Sequence, residues 1–266
     1  MTVTSPALPS APLSQRGSRV LLIRILIIAV LLSTWEAVAA SNLLFRDVVP
    51  SIFSVGRALI QLLLDAGFYR NLGITTAEIA LALLVGGSAG LAVGLVLGGN
   101  RFLARAYEPF VYYLGPTPKI VFFPLLILWF GVNAGSKVAM GALSCFFPIA
   151  MATSAGMREL NTTLIRVGRT FRLSRWQMLI KIYLPAMRTP IVNGLRLGLG
   201  VATIGTLLAE TKLSNQGLGF MVIQTYSTFD MPRMYALLIL LFLLSIGATA
   251  LIGRLSAPAL LTGNRR

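Results

Sequence analysis

Six apolar stretches of span length alternate with short polar segments along the chain: Val20 to Ala40, Thr75 to Gly98, Phe110 to Phe130, Val138 to Met157, Ile191 to Ala209 and Met234 to Leu255. Each has the length a helix needs to cross a hydrocarbon core of about 30 Å. The pattern predicts an all-α, polytopic membrane protein with about six transmembrane helices. A transmembrane domain over 20–256 would then lie between short tails at 1–19 and 257–266. The first fifteen residues are rich in Ser, Pro and Ala and read as a disordered tail. Ala37-Val38-Ala39 has the small-x-small form of a signal-peptidase site, so cleavage there is the alternative to a retained first span.

Charge orients the spans. Six crossings put both termini on one side, and that side collects 15 cations: Arg16, Arg19, Arg24, Arg101, Arg105, seven between Arg158 and Arg188, Arg254, Arg265 and Arg266. The other side holds six, namely Arg46, Arg57, Arg70, Lys137, Lys212 and Arg233. Because short Lys/Arg-rich loops stay in the cytoplasm, the termini and the 158–188 loop are expected there. The formal net charge of +15 and a mean hydropathy of +0.81 fit this distribution. A nucleic-acid-binding surface would instead carry its cations on a soluble domain.

Composition also removes most chemistry. There is no His and a single Cys, Cys145, inside an apolar run. The commonest general base and metal ligand are therefore missing, and no intramolecular disulfide is possible. No phosphate-binding G-x-x-x-x-G-K-[ST] sequence occurs. No catalytic residue, metal site or cofactor is expected, and energy would come from a partner or an ion gradient.

Three local patterns stand out. Gly86, Gly90, Gly94 and Gly98 recur every fourth residue, stripping one helical face to backbone so that another helix can approach; Gly194 and Gly198 repeat the device. The expected role is packing within the subunit, with a pathway or dimer face as the alternative. Pro116, Pro118 and Pro124 interrupt the third span, either as a kink or as the border of a cavity. In the basic loop, Arg166, Arg169, Arg172 and Arg175 follow one another at three-residue spacing. Ser174 and Gln177 fit a capping box that starts a helix at Arg175. Pro185 disfavours helical geometry at Leu184 and predicts its end near Tyr183. A preceding helix is expected over Leu160 to Phe171.

With these residues in view the chain resembles the transmembrane subunits of binding-protein-dependent ABC importers, in the nitrate/sulfonate/taurine permease group. The resemblance covers nearly everything after residue 20. It rests on Pro118-Lys-Ile-Val-Phe-Phe-Pro124-Leu-Leu-Ile-Leu-Trp129-Phe-Gly131, Ser174-Arg-Trp176-Gln with Leu184-Pro185, Gly194-Leu-Arg196, Ala209-Glu210 and Gly217-Leu-Gly219. It implies an inner-membrane protein whose basic loop, the EAA loop of the family, couples to a cytoplasmic ATPase. Partners implied are two ATPase subunits, an extracytoplasmic binding protein, a second permease copy and membrane lipid. Arg166-Val167-Gly168 stands where the family has Glu-Ala-Ala, Arg172 where it has a glycine, and Glu78 where it tends to carry a basic residue.

The residues expected to carry coupling are Arg166, Arg169, Arg172, Ser174, Arg175, Trp176, Gln177, Leu184 and Pro185. Pathway and gate candidates are Pro118, Pro124, Trp129, Arg196, Glu210, Gly217 and Gly219, the last three as an outer gate or binding-protein contact, with an ordinary helix end and turn as the other reading. The function expected is a gated substrate pathway for a small solute, opened by alternating access. An ion-coupled secondary transporter is the alternative, although the acids near spans, Glu36, Glu78 and Glu210, all lie toward outer ends.

Overall fold

A computed structural model describes residues 13–41 and 48–254; the expected tail at 257–266 and most of 1–19 lie outside them. Helix α1 (Leu13–Ser41) begins inside the expected tail, ahead of its apolar span. The remaining α-helices are α2 (Ile52–Leu64), α3 (Ala66–Gly99), α4 (Arg101–Leu114), α5 (Phe123–Phe130, preceded by a 3-10 turn at Lys119–Phe122), α6 (Ala134–Arg158), α7 (Thr162–Thr170), α8 (Arg175–Met178), α9 (Leu184–Ala186), α10 (Arg188–Lys212), α11 (Leu218–Ser227) and α12 (Met231–Arg254). Five helices are long and apolar enough to span a membrane, and α4 with the α5 segment, bent by 90°, makes a broken sixth.

Helices α3, α6 and α10 form the centre, and glycine sets their spacing. A Cβ at Gly90 would lie 2.6 Å from Phe146 O; at Gly94, 2.5 Å from Thr153 Cβ and 2.6 Å from Ala150 O; at Gly98, 2.5 Å from Met157 Cβ. At Gly86 it would run into the Ala142 backbone. The four-residue stripe of α3 thus faces α6 along its length, at a separation no side chain allows. Gly194 and Gly198 do the same from α10, against Ala152 and Ile149. Cys145, Ile149 and Ala202 close the core between these helices. The Cys145 thiol is buried against Ala82 O and Ala142 O.

A second apolar cluster joins α2, α3, α11 and α12 through Leu62, Phe68, Leu218 and Leu237. Neither α2 nor α11 has span length, so a search for hydrophobic stretches passes over both. Helix α1 is exposed along its apolar run and attaches only near its end. There Trp35 Nε1 donates to Pro50 O at 3.0 Å and stacks edge-on against Tyr235, while Glu36 accepts the Ile52 amide. Arg158 and Glu108 tie α6 to α4 at the opposite end by a two-armed ion pair, one arm at 2.7 Å.

Candidate coupling loop and membrane pathway

The basic loop folds as two short helices around one fixed bend. Asn161, rather than Leu160, starts α7: its side chain accepts the Thr163 amide at 2.8 Å. The helix ends in a Schellman arrangement, with Leu173 N–H donating to Gly168 O at 3.1 Å and Arg172 N–H to Arg169 O at 2.9 Å. Such an end needs a left-handed residue, and Arg172 takes it, at φ 50°. Arg172 thus takes the conformation that a glycine at this position would adopt without penalty. The bend keeps its left-handed form, at a cost of about 1–2 kcal/mol for a residue with a Cβ.

The second helix starts as its capping box dictates. Ser174 N–H donates to Gln177 Oε1 at 2.9 Å, and Gln177 N–H donates to Ser174 Oγ at 3.2 Å. It does not stop before Pro185. A π-type turn over Leu179–Tyr183 widens the helix, leaving room for a residue with no amide hydrogen, and Leu184 stays helical at φ −59°, ψ −46°. The break falls at buried Met187, where α10 begins. Gly168 is buried because a Cβ there would strike Met178 Sδ and Ile182 Cδ1, so the two loop helices touch at this point. Arg166, Arg169, Arg172, Arg175 and Trp176 are all exposed.

The broken span is organised by its prolines. Pro116 and Pro118 occupy the turn after α4, and Pro124 stands in the first turn of α5, where its missing N–H costs nothing. The freed carbonyls are met by one ammonium: Lys119 Nζ donates to Gly115 O, and to Thr117 O at 3.2 Å, while lying over the Phe147 ring. Exposed Trp129 lines an apolar cavity of about 410 Å³ with Val85, Phe122, Leu125, Leu143 and Phe146. Phe123 and Leu126 pack against Met140 of α6 and Ala209 of α10.

Four expected pathway residues are elsewhere. Arg196 lies thirteen residues before Ala209, about 20 Å along α10, with its guanidinium beside Gly253 of α12. It does not join the α5 segment. Glu210 is 1% exposed, and Gly217 and Gly219 are buried, so these three present no surface to a binding protein. They make a helix cap of long reach. Asn71 Oδ1 accepts the Gly217 amide at 2.6 Å, Thr75 Oγ1 the Leu218 amide at 2.8 Å and Glu210 Oε2 the Gly219 amide at 2.6 Å. Thr75 Oγ1 donates in turn to Glu210 Oε1 at 2.7 Å. The first three amides of the α11 start are thus held by α3 and α10, with Gly217 at φ 102°.

Beside this cap, Glu78 is buried in contact with Glu210, and the buried Lys137 ammonium acts on both carboxyls while donating to Val132 O and Asn133 O. Asn71 and Thr75 escape a reading of the sequence because their partners across the fold lie more than 130 residues away, and Lys137 because the carboxyls it serves, Glu78 and Glu210, lie 59 and 73 residues away. Only the polar character of Thr75 and Glu78 inside an apolar run hints at them.

A broken span, a three-helix centre packed through glycine and a capped, bent basic loop define a polytopic transport permease. Residues 86–258 match the family model described as "Binding-protein-dependent transport system inner membrane component". The chain belongs to that family and is an inner-membrane ABC transporter permease rather than an enzyme. It is 31% identical over 239 residues to the taurine transport system permease protein of Escherichia coli (strain K12), covering 86% of each chain. To the putative aliphatic sulfonates transport permease protein of Bacillus subtilis (strain 168) it is 29% identical over 212 residues, covering 80% of this chain and 77% of that one. The fold is similar to the inward-facing MetNI methionine ABC transporter, with a TM-score of 0.61 and 20% identity over 74% of this chain and 96% of the other.

Proposed function

We propose that two copies of this chain form the membrane pathway of an ATP-driven importer, with one cytoplasmic ATPase engaging the 158–188 loop of each copy. An extracytoplasmic binding protein delivers the solute. Both termini are cytoplasmic, and α1 is retained as a span, which agrees with the anchoring of Trp35 and Glu36 on α2 and α12. The observation that carries the reading is the loop itself: two helices locked at one angle by a Schellman bend and a capping box. A flexible positive-inside loop needs no such rigidity, whereas a lever that transmits a domain motion does.

The solute is a small one of the kind the relatives' names point to, sulfonates, taurine and nitrate among them. Closure of the ATPase pair moves α7 to α9 as a body. Met187 and Pro190, packed on α6 near Gly156, pass the motion to the spans. Co-expression with a candidate ABC ATPase from the same organism tests the reading: the cognate ATPase should co-purify with the full chain and be lost when 161–184 is replaced by a Gly/Ser linker. Cysteine at position 166 should label only from the cytoplasmic face. Labelling from outside in intact cells, or ATPase recovery without the loop, would refute it.

A further inference from the structure

Two arginines of the loop sit where local physics disfavours them. Arg172 occupies a left-handed position that glycine fills without cost. Arg175 is the first residue of a helix, where the unsatisfied amides and the helix dipole disfavour a cation. Neither side chain recovers this inside the chain: among the described residues the ion pairs are Arg158 with Glu108 and Arg233 with Asp65. Arg166 and Arg169 are equally exposed and unpaired. From 158 to 188 the only acid is Glu159. Local rules broken without an internal gain mark contacts made to something else.

Two exposed aromatics stand among these cations. Phe171, 74% exposed, precedes Arg172 at the bend, and Trp176, 68% exposed, follows Arg175 on the next helix. Arginine and tryptophan are the side chains that most often dominate a protein interface, the ring filling a recess and the cations fixing orientation at its rim.

We infer that the ATPase surface receiving this loop is acidic around an apolar recess, with carboxylates facing Arg166, Arg169, Arg172 and Arg175 and the recess taking Phe171 and Trp176. The inference rests on the coupling reading above and adds the chemistry of the partner's face, and with it the choice of partner: an ATPase with a basic or neutral groove is rejected by charge. Anionic headgroups would also attract the arginines, but a fluid surface has no use for a bend held in one geometry by four backbone and side-chain hydrogen bonds within 168–177 and a buried Gly168 contact.

The test replaces Trp176 with photoreactive p-benzoylphenylalanine in the full chain, in cells expressing the whole transporter, and sequences the cross-linked peptides. An ATPase peptide whose neighbouring residues include several Asp or Glu supports the inference. An ATPase peptide without acids overturns it while leaving coupling intact. Cross-links to lipid alone overturn both. In the purified complex, Arg166→Glu with Arg172→Glu should reduce ATPase recovery about tenfold or more, whereas the two Arg→Lys replacements retain it. Raising NaCl from about 0.1 M to about 1 M shortens the screening length from about 10 to about 3 Å and should weaken the wild-type complex. Trp176→Ala should weaken it at both salt concentrations. Recovery insensitive to both charge reversal and salt would overturn the acidic face.

Discussion

Glu210 accepts the Gly219 amide at 2.6 Å although the two belong to different helices, α10 and α11, and no water-exposed surface lies between them. A carboxylate in this position does the work an N-cap side chain normally does from within its own turn. Because Thr75 and Asn71 of α3 hold the two preceding amides, α11 is fixed to the α3/α10 pair at its start. In an alternating-access cycle α11 then travels with the three-helix centre and does not swing separately.

Glu210→Ala leaves the Gly219 amide and the Thr75 hydroxyl proton without acceptors, at about 1–3 kcal/mol each. Thr75→Val removes the acceptor for Leu218 and a donor to Glu210 together. Both variants should lower the melting temperature in detergent and speed hydrogen exchange at Leu218 and Gly219. Ser227→Ala, at the far end of α11, should do neither. Unchanged exchange in both core variants would show that α11 is held by its apolar contacts alone.

Glu78 has the opposite character. Its Oε2 is buried without a hydrogen-bond partner, beside a second carboxyl, with one Lys137 ammonium to serve both. Two neighbouring buried carboxyls repel each other when both are ionised, and a neutral amide of the same shape removes that repulsion. Glu78→Gln, similar in shape and neutral, is expected to raise the melting temperature. A fall would mean that Lys137 depends on Glu78 for its charge balance.

The six-span outline, the glycine stripes and the capping box were legible because each is written at helical spacing in neighbouring residues. What was not legible depends on pairing across the chain. Nothing near Gly217 indicates that Asn71 and Thr75 will catch its turn, so the sequence left Glu210 open between a gate and an ordinary helix end, with no sign of the buried cap it forms. Pro185 was misread as a stop for a related reason: the rule for the residue before proline assumes a regular α-helix, and a π-type turn relaxes it. Arg172 shows the limit from the other direction, since the Schellman bonds of α7 decide its backbone against its own preference.

The glycine contacts make a graded prediction. Gly94→Ala brings a Cβ to within 2.6 Å of a backbone oxygen that cannot turn aside, and overpacking of this kind costs about 1–3 kcal/mol. Gly90→Ala should behave similarly. Gly73, on the same helix, has nothing within 4 Å, so Gly73→Ala should be neutral or stabilise by about 0.5–1 kcal/mol through helix propensity. Thermal unfolding of the three variants separates the cases. Equal behaviour at positions 73 and 94 would mean that α3 and α6 do not approach as closely as described.

Arg172→Gly separates the two things this residue does. Glycine adopts φ 50° without the Cβ penalty, so the bend should gain about 1–2 kcal/mol and resist proteolysis longer. The same change deletes one cation from the exposed face, so ATPase recovery should fall even as the loop becomes more stable. Arg172→Lys keeps the charge and the strain, and should leave both properties near wild type. Stability and coupling moving in opposite directions is a signature that a purely structural role for Arg172 does not produce: there, glycine would improve both. If Arg172→Gly instead destabilises the loop, the left-handed bend at this position is wrong.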